Sequence, residues 1–256
     1  EDGIFRNGVR AWTSQAVHAG DVIETHLVET EPSDGILPRP VPFSVVYEDD
    51  DILVVDKPAD TPIHPSIGNY ENTLANGIAW YFEQKGEPFV YRCINRLDRD
   101  TTGLIVLAKH ALSAAVLSQA MRSREIHRTY QAFALGETAA SGTIDAPIAR
   151  LNGSLIQRTV DFASGERSVT HYRTLAHCSV FSHLELNLET GRTHQIRVHM
   201  AYIGHPLLGD TLYNKTPGTF PRQALHSASL SFVHPITGEP LNFHAPLPED
   251  MQNLLT

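Results

Sequence analysis

Between Ile94 and Ala108 the chain reads INRLDRDTTGLIVLA, a charged stretch running straight into five apolar residues. Five residues drawn from Leu, Ile, Val and Ala suit a short strand buried on both faces. Such a strand demands a sheet covered from two sides. The charged stretch is thereby fixed at the entrance to the core, with Asp98 set between Arg96 and Arg99.

Other segments follow the two basic periodicities. Ile52–Val55 is a short apolar strand stopped by Lys57-Pro58. Ala111–Arg122 has helical spacing, with Leu112, Val116 and Leu117 expected on one side. Ile126–Leu135 alternates as a strand, which puts Ile126, Arg128, Tyr130, Ala132 and Ala134 on one face. Val180–Leu188 alternates more cleanly, with Leu184, Leu186 and Leu188 inward and His183, Glu185 and Asn187 outward. Thr193–Ile203 fits a helix capped by Thr193 and ended by Gly204 and Pro206, with Ile196, Met200 and Ile203 on one face. Strands outnumber helices and the order mixes them, so the expected class is α+β, with a largely antiparallel mixed sheet and flanking helices.

Upstream, Gly3–Val28 reads as two short strands with turns: Ile4-Phe5 leads into Asn7-Gly8, and Ala19-Gly20-Asp21 precedes Val22-Ile23. Glu29–Pro42, rich in proline and acid, lacks periodicity and reads as a linker. The expected organisation is an appendage over 1–28, a linker over 29–42 and a main domain over 43–256.

Hydrophobic content of 41% and charged content of 19% describe an ordinary globular chain. No apolar run reaches the roughly 18–20 residues needed to span a bilayer, and no signal peptide is visible. Cys93 and Cys178 form no CxxC pair; they read as thiols in a reducing compartment, which implies a cytoplasmic protein, with a Cys93–Cys178 disulfide as the alternative. Monomer is the default expectation. A net charge of −9 argues against a nucleic-acid partner when taken alone. The basic residues are concentrated, however: Arg92, Arg96, Arg99, Lys109, Arg122, Arg124 and Arg128 fall in one stretch, while acids crowd Glu29–Asp60. Local field decides whether phosphate is attracted.

Read locally, Asp98 has two meanings. It is an aspartate bridging two arginines across a turn, or a nucleophile or base beside a sugar anomeric carbon. Arg96 and Arg197 are candidates for phosphate contacts or for pairing with Asp98, or they are ordinary solvated arginines. Tyr130 is either a packed core tyrosine or a base-stacking surface. His194, His199 and His205 cluster in sequence, but a spacing of five does not put His194 and His199 on one helix face. No HExxH or cysteine pair supports a metal, and no glycine-rich loop supports a nucleotide cofactor.

At these residues the chain resembles the RluA-like family of RNA pseudouridine synthases. INRLDRDTTGLIVLAK (Ile94–Lys109) is similar to the family's His-Arg-Leu-Asp-Arg-(Glu/Asp)-Thr-Ser-Gly motif, and TGRTHQIRVHMAYIGHPLLGDTLY (Thr190–Tyr213) to its second signature. YEDDDILVVDKPADTPIHPS (Tyr47–Ser66) and RQALHSASLSFVHP (Arg222–Pro235) resemble two further blocks. The resemblance implies the pseudouridine synthase catalytic fold over 43–256 and a partial S-four-like RNA-binding module over 1–28. It makes Asp98 the catalytic aspartate, Arg197 its arginine partner and Tyr130 the tyrosine against the uracil ring. Arg96 becomes the arginine that takes the flipped base's place, and Arg192, His194 and Gln195 fall to RNA binding. Asn95, Thr102 and Asp56 depart from the usual histidine, serine and asparagine.

The implied reaction isomerises uridine to pseudouridine in structured RNA, ribosomal or transfer. It breaks an N-glycosidic bond and rejoins the uracil through C5, with no redox change, so no cofactor is expected. The base must leave its stack to be reached. The alternative is a non-catalytic RNA-binding protein on the same scaffold, in which Asp98, Tyr130 or Arg197 should have degenerated. A glycoside hydrolase would need a second positioned carboxylate or an activated water.

Overall fold

The structure, a computed structural model, describes residues 3–26 and 32–255. The chain opens with β1 (Gly3–Arg6), β2 (Val9–Ala11) and β3 (Ile23–His26), an antiparallel sheet in the order β2-β1-β3. Asn7 and Gly8 turn β1 into β2 with φ of 52° and 76°, the positive values that a tight two-residue hairpin needs. Next come β4 (Ser44–Glu48), β5 (Ile52–Lys57), α1 (Leu74–Lys85), β6 (Thr102–Ala108), α2 (Ala111–Arg122) and β7 (His127–Leu135). They are followed by β8 (Ser141–Asp145), β9 (Ile148–Arg150), β10 (Arg158–Val160), β11 (Val169–His177) and β12 (Phe181–Leu188). The last elements are α3 (Gln195–Tyr202), β13 (Leu225–Val233), β14 (Pro240–His244) and α4 (Glu249–Gln252).

One large sheet runs β4-β5-β6-β13-β7-β12-β11-β8, with β14 paired to β13. The β6–β13 pair is parallel, with His226 opposite Thr102, and its other pairings are antiparallel. This is the α+β class with a largely antiparallel mixed sheet. All seven residues of β6 are buried. Ile105 and Leu107 join one core with Leu74, Ile78 and Phe82 of α1. Leu104, Val106 and Ala108 join a second with Leu117 of α2. The two helices thus supply the double cover that the apolar run demanded.

α1 carried no anticipated signal. Its capping box is built from Thr73 and Asn76, an asparagine in the place where glutamate or glutamine is usual. Residues 32–42, expected as linker, form neither helix nor strand. They lie along α1 rather than spanning a gap: Arg39 N–H donates to Asn76 O, and Asn76 Nδ2 donates to Leu37 O. A Cβ on Gly77 would meet Val41 O at 2.6 Å. The linker's first residues, 29–31, and the appendage's residues 1, 2, 27 and 28 lie outside the described residues.

Three side-chain expectations need correction. α2 has the anticipated limits, but Leu112 and Val116 are exposed; its packed face is Ser113 and Leu117 with Ala114, Ala120 and Met121. His183 is buried, because that face of the sheet is itself covered: its ring stacks on Phe133 at 4.6 Å. On the β7 segment, Tyr130, Ala132 and Ala134 enter the first core, whereas Ile126, just before the strand, enters the second.

Candidate active site

Asp98 lies on the loop that enters β6, and the loop is tied down from several sides. Asn95 does the work nearest the strand: its Nδ2 donates to Leu104 O, and its Oδ1 accepts from Val106 N–H. An amide can bridge a donor and an acceptor in this way, so the departure from histidine is accommodated. The Arg99 carbonyl accepts from Lys57 Nζ at 2.8 Å and Thr61 N–H at 3.1 Å, and Asp100 O accepts from Arg222 Nη1. Gly103 ends the loop at φ 112°, where a Cβ would sit 2.3 Å from Ser227 O. Thr102 Oγ1 is 2.8 Å from His226 Nδ1 on the parallel neighbour.

Lys57, which sequence reasoning passed over, is 0% exposed. Burial pushes its amine down to about 7, opposed by the nearby Asp100 and Asp98. Only its place beside a proline marked it in the sequence, which says nothing of its role under the loop.

The local reading of Asp98 as a bridge between Arg96 and Arg99 is not what forms. Arg99 turns to Asp100 at 3.2 Å and Asp60 at 3.6 Å. Arg96 is exposed, and no hydrogen bond or ion pair engages its guanidinium among the described residues. The partner of Asp98 comes from α3 instead: Arg197 Nη1 donates to Asp98 Oδ2 at 2.8 Å, across 99 residues of sequence. α3 starts later than expected. Its N-cap is His194, in the left-handed region at φ 58° and with no side-chain cap bond, so Thr193 does not cap it.

Arg197 is held by a residue that sequence reasoning also missed. Asp210 is fully buried and takes Arg197 Nε at 2.7 Å and Nη2 at 2.9 Å, a two-pronged grip that leaves Nη1 for Asp98. The Arg197 guanidinium also lies 5.1 Å from the Tyr213 ring centre. The two carboxylates hold its charged form well above the usual arginine range, against the opposing effect of burial. Asp210 falls within the Thr190–Tyr213 motif, but no local pattern distinguishes it from a turn aspartate.

Asp98 lines a cleft of about 630 Å³ with Arg96, His64, Ile156, Thr193, His194 and Arg197 among its walls. Oδ2 is occupied by Arg197, with His194 Nε2 at 3.8 Å, while no partner among the described residues engages Oδ1. Arg96 separates this cleft from a second one, lined by Arg122, Arg124, Arg128, Arg192 and Tyr130. Tyr130 therefore opens on the neighbouring cleft. Burial raises its hydroxyl, and Arg128 and Ser227 lie against it. Arg128 was not singled out from sequence; its buried Nε lacks a hydrogen-bond partner.

Of the remaining sequence candidates, Arg192 is exposed at the rim, 2.5 Å from Glu166. Gln195 is turned inward. Its Nε2 donates to Val169 O and Thr170 Oγ1, and its Oε1 accepts from Thr190 Oγ1 and Arg192 N–H. Every polar atom of its side chain is spent on the framework, which leaves none for RNA. The three histidines disperse: His199 binds Thr170 and Ala146, and His205 binds Leu135 O. Among the described residues, one group of possible metal ligands stands elsewhere, Asp49, Asp51 and His234. Its atoms are engaged already, with His234 Nδ1 accepting from Thr237 N–H and Asp49 accepting from Tyr47 and His234.

An arginine-lined double cleft with one open carboxylate oxygen narrows the chemistry without naming it; comparison with known proteins does. A sequence profile described as RNA pseudouridylate synthase matches residues 51–202. The chain belongs to the RNA pseudouridylate synthase family. It is an isomerase acting on RNA. The synthase is 42% identical to an uncharacterized RNA pseudouridine synthase, YjbO, of Bacillus subtilis, over 97% of this chain and 88% of the relative. It is 43% identical to ribosomal large subunit pseudouridine synthase D of Vibrio cholerae, over 92% of this chain and 76% of that one. Human RNA pseudouridylate synthase domain containing 1 superposes with a TM-score of 0.67 at 26% identity, covering 85% of this chain and 86% of its own. Among the described residues, no helix of the synthase is long and apolar enough to cross a membrane.

Proposed function

We propose that this synthase isomerises a uridine of large-subunit ribosomal RNA, with Asp98 as the catalytic carboxylate. The observation that carries the assignment is the asymmetry of Asp98, which lines the cleft: Oδ2 is engaged by Arg197, and Oδ1 has no hydrogen-bond partner among the described residues. A carboxylate held by one oxygen is oriented, and the other oxygen is free to act on the sugar, by attack at C1′ or by removing the C2′ proton. The N1–C1′ bond breaks, the uracil turns, the C5–C1′ bond forms, and the proton on C5 leaves to water. Arg197, anchored by Asp210, stabilises negative charge on the detached uracil.

The target base must be extruded, and Arg96 is suited to fill its place: it is exposed, unpaired and shared by both clefts. Tyr130 is the surface for the uracil ring, Arg192 lines the RNA path at the rim, and His194 stands inside the cleft beside Asp98. The three-stranded sheet at residues 3–26 serves as an auxiliary RNA contact. The substrate follows from relatives of 41–43% identity named for the large ribosomal subunit, and such a substrate puts the protein in the cytoplasm.

The test uses large-subunit RNA carrying tritium at uridine C5. Wild-type protein releases tritium; Asp98→Asn releases none yet still retards the RNA in a gel. Normal turnover by Asp98→Asn would refute the carboxylate assignment, and release from transfer RNA alone would refute the substrate.

A further inference from the structure

His194 sits beside Asp98 in a conformation that a helix cap does not require, and its two ring nitrogens have different surroundings. Tyr213 Oη lies 2.7 Å from His194 Nδ1 and also accepts the backbone N–H of Arg158 at 2.9 Å. With that N–H taken, the tyrosine proton has one acceptor within reach, His194 Nδ1. The arrangement that satisfies every group therefore has Tyr213 donating to Nδ1, so that neutral His194 carries its own proton on Nε2. Nε2 is the nitrogen 3.8 Å from Asp98 Oδ2, the oxygen already held by Arg197.

We infer that His194 is a positioning residue for the reaction, fixed by Tyr213 as a neutral Nε2–H group that faces Asp98 Oδ2 at 3.8 Å and, by its dipole, favours the carboxylate orientation that leaves Oδ1 to the substrate. The chain of contacts starts on β10, whose Arg158 N–H directs the tyrosine proton, and ends on the carboxylate. The loop carrying Tyr213 is also held at the start of β10 by Gln157 Nε2, which donates to Leu212 O at 3.2 Å.

The groups facing His194 are Asp98 from the β6 entrance, Arg197 from α3, Arg158 from β10, and Asp210 with Tyr213 from the segment after α3. Burial, first, and then the two arginines push the imidazole down, while Asp98 and Asp210 oppose them. A neutral ring is consistent with that balance. The other tautomer would aim a lone pair at a carboxylate, which is repulsive.

The inference rests on the assignment of Asp98 as the catalytic carboxylate, and the experiment keeps the two apart. Tyr213→Phe keeps the ring beneath Arg197 but removes the hydroxyl that fixes the tautomer. At pH 8 its kcat should fall about tenfold, the order expected for losing one oriented hydrogen bond. Protonation of His194 at lower pH restores an N–H at Nε2 in either case. Because burial sets the imidazole below its usual range, the ratio of variant to wild-type kcat should climb toward one only as the pH falls below about 6, with KM for the tritiated RNA unchanged. His194→Gln, whose amide N–H reaches the Nε2 position, should retain more kcat than His194→Leu at equal melting temperature.

A pH-independent ratio for Tyr213→Phe would overturn the inference, leaving Tyr213 as packing. A loss confined to KM would overturn it too, because His194 would then act on RNA rather than on Asp98. Turnover by Asp98→Asn would instead remove the underlying assignment, whatever the tyrosine variant did.

Discussion

Replacing Asp210 by asparagine changes one oxygen for an NH₂ group at the most enclosed point of the site. The carboxylate accepts four N–H groups: Oδ1 takes Arg197 Nη2, Leu212 N and Tyr213 N, and Oδ2 takes Arg197 Nε. An asparagine keeps the first three bonds by placing its oxygen at Oδ1. Its NH₂ then faces Arg197 Nε–H across 2.7 Å, donor against donor. The loss is one charge-assisted bond plus a buried unmet donor, together about 3–5 kcal/mol. In a domain of this size that lowers the melting temperature by roughly 10 °C.

The same repulsion turns the guanidinium away, so Nη1 leaves Asp98. Turnover should fall about a hundredfold, equivalent to roughly 2.7 kcal/mol of transition-state stabilisation. Differential scanning calorimetry and tritium release read the two effects separately. Asp98→Asn serves as the contrast: that side chain is 23% exposed and makes one bond to Arg197, so it should lose turnover while melting close to wild type. If Asp210→Asn melted within about 2 °C of wild type and turned over normally, the view that Asp210 sets Arg197 would be wrong.

Lys57 gives a pH signature. Its amine is depressed from 10.5 to about 7 in the folded chain, so between those values the unfolded state binds more protons and stability rises with pH. Urea midpoints should show wild type gaining on Lys57→Met from pH 7 to pH 10, by a few kcal/mol at most; a constant difference would contradict the depressed amine. The cysteines separate by reactivity. Burial raises the Cys93 thiol to about 12, and its Sγ donates to Asn95 O, while Cys178 is exposed. Native protein should react with one equivalent of a thiol reagent and denatured protein with two, the second thiol following unfolding.

Much of the architecture is legible because it is written locally. The apolar run at 104–108 states its own double burial, the Asn7-Gly8 pair its turn, and Ala111–Arg122 its helix limits. What failed was direction. Leu112 and Val116 match a helical stripe as well as Ser113 and Leu117 do, and only the position of the sheet decides which stripe is covered. α1 went unanticipated because its box is closed by Asn76 rather than glutamate, and a twelve-residue helix with a weakly apolar stripe is decided by what packs on it.

The site divides along the same line. The long motifs at 94–109 and 190–213 determine, from sequence alone, that this is a pseudouridine synthase, because a shared order of residue types survives wherever the chain goes in space. They do not determine who holds Asp98. Its sequence neighbours Arg96 and Arg99 looked like the holders, yet a turn sends adjacent side chains in different directions. The arginine that reaches the carboxylate comes from α3, steadied by Asp210. Lys57 under the loop, Tyr213 beside His194 and the inward turn of Gln195 are likewise products of tertiary structure. Charge and hydrogen bonds act over a few ångströms of space, and distance along the chain does not fix that.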